Sequence, residues 1–389
     1  MTHPGGLSPH EPGGPGLYIH VPFCARRCGY CDFYSLARPD ADADAARYLD
    51  ALDAEARRGP PGFHASTIFI GGGTPTHLNP SSLDRLLRIA RTASHHTDAL
   101  EEWTVEANPG TLTGRTLDTL RAHGVTRLSI GGQTFDPDRL RLLDRIHDPE
   151  DIRAAVREAR AAGFAEISLD LMYGLPGQSV EDVRSDVRAA LALSPDHLSP
   201  YALTVEEGTP LQQKIAGGAA PAPPEDDIVR DQYDAIRECL DAAGWEHYEI
   251  SNFCRPGHPC RHNLLYWTGG HYLGLGPAAH SHWNGRRWAN APDLGHWAAA
   301  QASGAQNQES GECLPPDRRA RETLVCALRL IAGVDRAGFQ LRTGFDYEDL
   351  CGRELDELER QGLVVRTAHR LRLADSALFV SDTVFAALV

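Results

Sequence analysis

Along the first half of the chain, short apolar runs alternate with longer stretches in which apolar residues return every three or four positions. The runs predict strands over 17–21, 67–70, 103–107, 127–130, 166–171 and 197–203. The stretches between them predict amphipathic helices over 45–58, 82–91, 115–123, 150–162 and 180–193. Gly124 and Gly163 follow two of these helices, where a left-handed helix end favours glycine. Strand and helix in regular alternation imply a parallel sheet. Six such units are fewer than a closed barrel of eight needs, so the expected architecture is α/β, an open partial (β/α)6 barrel. In such folds chemistry sits at the C-terminal ends of the strands, and the polar motifs fall there.

The rest of the chain divides by composition. Residues 1–16 are rich in Gly and Pro and are expected to be a disordered lead-in, with the barrel over 17–216. Residues 217–224 (GGAAPAPP) look like a linker, followed by a helix over 225–243 and a strand over 245–250. The stretch 251–290 is dense in His, Trp and Gly and is expected to be irregular, so 217–300 is taken as a linker helix with a His/Trp-rich segment. From about Pro315 the pattern turns helical, and 363–365 and 371–373 flank a turn, so 301–389 predicts a small helical domain with a β wing.

Composition narrows the function. The chain has 389 residues, 42% hydrophobic and 23% charged, which is globular. A net charge of −15 argues against a protein that tracks nucleic acid, and against wholesale adhesion to an anionic membrane. No apolar run is long enough to cross a membrane as a helix. Nine cysteines without a secretory signal suit a reducing, cytoplasmic compartment. Lys214 is the only lysine, which reads as coding bias.

Three of the cysteines carry the chemistry. Cys24, Cys28 and Cys31 follow the first strand at C-x3-C-x2-C spacing. Thiolates this close can hold one iron–sulfur cluster, and three ligands leave one iron open to bind something that reacts. A structural zinc site would need a fourth ligand, and the nearest His is His20 on the preceding strand. An odd cysteine count in a long chain does not make a disulfide framework.

With its upstream strand, the cysteine run Tyr18-Ile19-His20-Val21-Pro22-Phe23-Cys24 resembles the radical S-adenosylmethionine (SAM) superfamily. Within it the chain resembles the group of oxygen-independent coproporphyrinogen III oxidases and heme chaperones, from about Leu17 to its end. The resemblance implies a [4Fe-4S] cluster on Cys24, Cys28 and Cys31, with SAM chelated by the open iron. One-electron reduction would then break the C–S bond and give a deoxyadenosyl radical inside the barrel, away from water. It further implies SAM contacts from Gly72, Gly73 and Thr74 in the glycine turn, Glu106 after the third strand, Gln133 after the fourth, Arg145 and Asp170. The Tyr30 backbone is implied for adenine, with Tyr18 and Ala202 as further contacts. Taken singly, each is as readily a polar residue at a strand end. His20 shares a strand face with Tyr18 and reads equally as a reactive group or a hydrogen-bonded core residue.

A second constellation is Arg261-His262-Asn263-Leu264-Leu265-Tyr266-Trp267. It matches an H-N-x-x-Y-W motif of the chaperone branch, associated there with heme binding. His262 and Tyr266 are therefore candidate heme residues, since either side chain can ligate heme iron. The alternative is a loop of buried aromatics with His262 only hydrogen-bonded. Cys254, His258, Cys260 and His262 could also be read as a tight zinc cluster. Cys239, Cys313, Cys326 and Cys351 lie in apolar patterns and are expected to be core thiols.

Two features separate the branches. The oxidases carry a further Cys two residues past the third cluster Cys, where this chain has Phe33, and a longer segment before the cluster. Both differences, with H-N-x-x-Y-W, point to a heme chaperone of the HemW type. Such a chaperone would pass heme to an acceptor protein, plausibly a respiratory heme enzyme, and would be a homodimer promoted by its cluster. The alternative is an oxidative decarboxylase of porphyrin biosynthesis.

Overall fold

The computed structural model describes residues 13–38, 40, 42–95, 100–305 and 308–389. Six parallel strands form in chain order: β1 (Gly16–Val21), β2 (Thr67–Gly72), β3 (Glu102–Ala107), β4 (Arg127–Gln133), β5 (Glu166–Tyr173) and β6 (His197–Ala202). The intervening helices are α1 (Asp42–Ala56), α2 (Pro80–Ala93), α3 (Gly114–Ala122), α4 (Pro137–Leu142), α5 (Pro149–Ala161) and α6 (Val180–Ala192). Strand side chains alternate between faces. Leu17, Ile19, Ile68, Ile70, Val105, Leu128, Ile130, Ile167 and Leu169 are fully buried in the main apolar core. The alternate positions carry Thr104, Glu106, Ser129, Ser168, Asp170, Ser199 and Tyr201, which line a cavity of about 250 Å³. The result is an open barrel with a polar interior, as the alternation predicts.

The helices start where the sequence supplies caps. Asp148 and Ser179 form capping boxes with Asp151 and Asp182 at the heads of α5 and α6. Short helices follow the barrel: α7 (Pro210–Ala216), α8 (Asp226–Ala242) and α9 (Arg261–Trp267), the last carrying the H-N-x-x-Y-W residues.

The region 251–290, expected to be irregular, instead extends the sheet at both edges. Beyond β6 the strand expected over 245–250 forms as β7 (Glu246–Glu249), joined to the barrel edge by antiparallel β8 (Asn252–Cys254). At the other edge β9 (Tyr272–Leu275) pairs parallel to β1, followed by antiparallel β10 (His280–Trp283), β11 (Arg286–Asn290) and β12 (Gln308–Cys313). These strands hold three to six residues each and carry His, Asn and Arg, too short and too polar for a period-two signal. The sheet has twelve strands in all. The lead-in also differs from expectation at its end. The Ser66 amide donates to Pro15 O at 2.8 Å and the Gly13 amide to Glu101 at 2.8 Å, so residues 13–16 are tied to the barrel. Residues 1–12 lie outside the described residues.

Helix α10 (Leu294–Ser303) packs on α1, with Trp297 against Tyr48 at 5.6 Å between centroids. After the last strand come α11 (Pro316–Ala327), α12 (Arg336–Thr343), α13 (Tyr347–Arg360) and α14 (Ser381–Leu388). They enclose a three-stranded sheet of β13 (Val334–Asp335), β14 (Val364–Arg366) and β15 (Arg370–Leu373), a helical unit with a β wing.

Candidate cluster and cofactor site

The three cysteines sit on the loop that leaves β1. All three are free and half-buried. The loop is fixed from several sides. The Gly29 amide donates to Leu143 O at 3.0 Å, and the Leu211 amide donates to Gly29 O at 2.8 Å. Asp144 accepts from Arg26 at 2.9 Å and from Lys214 at 2.6 Å. The chain's only lysine therefore helps anchor the cysteine loop, which the reading of Lys214 as coding bias missed.

A hydrogen-bonded path joins two of the thiols. Thr74 Oγ1 donates to Cys24 Sγ at 3.8 Å and accepts from Asn108 Nδ2 at 2.6 Å. Asn108 Oδ1 accepts from Arg145 Nη2, and Arg145 Nη1 donates to Cys28 Sγ at 3.2 Å. Donors aimed at sulfur stabilise thiolate and tune an attached cluster. Arg145 also holds Gly131 O at 2.6 Å, while its buried Nε has no partner among the described residues. Burial pushes the Cys24 thiol up to about 11, with the Thr74 bond opposing it, so the metal-free loop carries a protonated thiol there. Asn108 was not singled out beforehand, although its place directly after β3 was a usable signal.

Do these residues fit an iron–sulfur cluster? Cys24 feels both other thiols and Cys31 feels Cys28, and Thr74 and Arg145 donate to two of the three sulfurs, a donor set that fits a thiolate-held cluster. The zinc reading of Cys254, His258, Cys260 and His262 does not hold, because among the described residues these side chains do not converge on one ion and Cys260 instead meets Glu102 at 3.4 Å. His258 binds Glu166 at 2.6 Å, while His262 points the other way to Thr67 and Tyr266.

The glycine turn explains itself sterically. A Cβ on Gly71 would lie 2.5 Å from the Glu106 carboxyl, and one on Gly73 would lie 2.6 Å from Phe23 O. Gly72 has φ +99° and faces the His20 ring. The turn thus packs bare backbone against Glu106, His20 and Phe23, with no room for a side chain at any of the three positions.

Glu106 accepts the Gly72 amide at 3.0 Å. Enclosure, with the Asp170 charge added, pushes Glu106 up to about 8. Asp170 accepts from Ser129 at 3.2 Å, and enclosure raises it to about 6. Two strained carboxyls in one polar cavity can receive a cation or sugar hydroxyls. Gln133 has φ 70° and accepts from Tyr201 at 2.8 Å. The Tyr201 hydroxyl also meets Tyr30. Tyr18 donates to His20 Nδ1 at 3.0 Å, and His20 Nε2 donates to Tyr34 O at 2.8 Å. A carbonyl can only accept, so the proton sits on Nε2 and His20 is a satisfied, buried residue. Glu106, Asp170 and Tyr201 share the interior cavity with Phe69. Ala202 ends β6 and is exposed.

At the opposite end of the barrel, His262 is fully enclosed. Its Nδ1 meets Thr67 Oγ1 at 2.8 Å and its Nε2 meets Tyr266 Oη at 2.9 Å. Burial lowers its pKa to about 4. Neither ring nitrogen is free to take an iron in this conformation. Glu102 accepts the amides of Arg261 and His262, each at 3.0 Å, and pairs with Arg127 at 3.2 Å. Of the thiols expected in cores, Cys351 is buried, Cys239 and Cys326 are half-buried, and Cys313 is exposed, because β12 is the edge strand.

An open polar barrel with a three-thiol loop at its mouth defines the radical SAM class. Residues 18–190 match the Radical SAM superfamily and residues 314–380 the HemN C-terminal domain. The chain is 41% identical to the heme chaperone HemW of Mycobacterium tuberculosis, over 85% of this chain and 86% of that protein. It is 34% identical to HemW of Bacillus subtilis, over 96% and 98%. A solved structure of Escherichia coli coproporphyrinogen III oxidase (HemN), a radical SAM enzyme, superposes with TM-score 0.84 and 25% identity, covering 97% and 90%. The chain belongs to the HemW family. Among the described residues no helix is long and apolar enough to cross a membrane.

Proposed function

We propose that this protein is a heme chaperone that binds heme and hands it to an acceptor protein, with a [4Fe-4S] cluster on Cys24, Cys28 and Cys31. The observation that carries this reading is the match to HemW heme chaperones over nearly the whole chain. When bound, the cluster and SAM would supply one-electron chemistry at the barrel mouth. Thr74 and Arg145 would steady the cluster thiolates. Glu106 and Asp170 would receive the polar groups of SAM, and the glycine turn would let it approach the backbone. His262 supports the heme region from beneath through Tyr266.

The oxidase reading is kept alive by the HemN-like fold. Against it stands Phe33, which is 68% exposed on the cluster loop where the oxidases are expected to carry a cysteine. The deciding experiment incubates the cluster-loaded protein with coproporphyrinogen III, SAM and a reductant. No protoporphyrinogen IX is expected, and its catalytic formation would overturn the chaperone reading.

A further inference from the structure

Between the sheet extension and the C-terminal domain lies a cleft outside the barrel. Two adjoining cavities there, of about 650 and about 670 Å³, share Gly269, Gly270, His282, Arg319 and Thr323. Each falls within the roughly 300–1,000 Å³ of a cavity that takes a ligand of cofactor size. One wall is aromatic: Tyr266, Trp267, Tyr272 and Trp288. The other is α11, which brings Arg319.

His282 projects from β10 into both cavities. Its Nδ1 donates to Gly270 O at 3.1 Å, and since a carbonyl only accepts, the proton is fixed on Nδ1. That leaves Nε2 with a lone pair and no protein partner among the described residues. A ring pinned by a backbone carbonyl with its other nitrogen open is the arrangement of a metal-ligating histidine. His282 is also buried, and burial lowers its pKa, which keeps the ring neutral. The one thiol on the wall, Cys326, is held protonated by burial and is a poorer ligand.

The cleft carries a cation as well. Arg287 is matched by Glu322 at 2.7 Å, but Arg319 has no carboxylate partner among the described residues. The Arg319 guanidinium lies over Gly285, in the turn between β10 and β11, where a Cβ would meet it. Gly270 is equally constrained against Leu265.

We propose that this cleft is the heme site, with His282 Nε2 on the iron, Arg319 on a propionate and the aromatic wall against the macrocycle. The inference rests on the heme-chaperone reading and changes its residues: the histidine on the iron is His282, and His262 positions Tyr266 in the wall.

The test titrates the full-length protein with hemin and follows the Soret band in the wild type, His282→Ala and Arg319→Glu. Loss of a ligand should cost more than the 10–100-fold typical of a supporting contact, so His282→Ala should weaken binding at least about tenfold and shift the Soret maximum. Added imidazole should restore the wild-type spectrum, which a merely unfolded cleft would not allow. Arg319→Glu should weaken binding without moving the maximum. A wild-type spectrum and affinity in His282→Ala, or a shift that imidazole leaves unchanged, would overturn the assignment while heme binding itself stood. No saturable binding by the wild type would instead remove the chaperone reading beneath it.

Discussion

The backbone N–H of His262 donates to the Glu102 carboxylate at 3.0 Å, so a barrel strand caps the helix that carries the H-N-x-x-Y-W residues. α9 has no capping side chain of its own at Cys260, and Glu102 supplies the missing acceptor for its first amides. Arg127 balances the buried charge and reaches on to the carbonyls of His258 and Pro259, both at 3.1 Å. The segment after the barrel is thereby fastened across its floor.

Removing that carboxylate charge should be costly. Glu102→Gln leaves Arg127 buried beside Glu166 alone, and breaking such a pair costs about 3–5 kcal/mol. Urea unfolding should show the loss as a lower midpoint. The Glu102 pKa is lowered because Arg127 and the two amides outweigh burial. Its contribution is therefore present above the ordinary carboxyl pKa and lost as pH falls through the folded value. Wild type and variant should converge in acid.

Glu106 works with the opposite sign. Its folded pKa of about 8 lies above the ordinary value, so its contribution is complete only below the ordinary carboxyl pKa and is lost progressively as pH rises from there through about 8. Glu106→Gln should raise the melting temperature of the metal-free protein at pH 9 and change it little at pH 5. A flat difference across that range would show that Glu106 ionises freely.

His262→Ala removes the partner of both Thr67 and Tyr266, each left unsatisfied at about 1–3 kcal/mol. The variant should be less stable and bind heme more weakly, with the Soret maximum unmoved. A displaced maximum would place His262 on the iron.

Gly73→Ala should damage the cluster site without touching a thiol. The added Cβ would meet the Phe23 and Val21 carbonyls at 2.6 and 2.7 Å, and both are backbone that cannot swing aside. The Thr74 amide, which donates to Phe23 O at 2.7 Å, would move with it. Iron bound per chain after anaerobic reconstitution should fall well below wild type.

The barrel was legible because its strands are long enough to alternate and its helices long enough to show a 3.6-residue period. Leu17, Ile19 and Val21 against Tyr18 and His20 show both faces of β1 in five residues. Helices α4 and α7 were missed because six or seven residues give too little period to read. The strands β9 to β12 were missed because their polar residues line the cleft, so Tyr272, His280, His282 and Trp288 sit where a strand's apolar face would have been sought. The three cysteines proposed for the cluster stand out by spacing alone. The Thr74–Asn108–Arg145 path does not, since it joins residues from three separate loops. For the same reason His262, singled out by its motif, proved to be enclosed, while His282 carried no motif at all.

Reconstituting the cluster anaerobically in the full-length protein and titrating it with heme tests the central claim most directly. A saturable Soret band, with iron held in the wild type but lost in Cys28→Ala, is the result expected of a cluster-bearing heme chaperone. Absence of saturable heme binding in fully reconstituted, folded protein would contradict it.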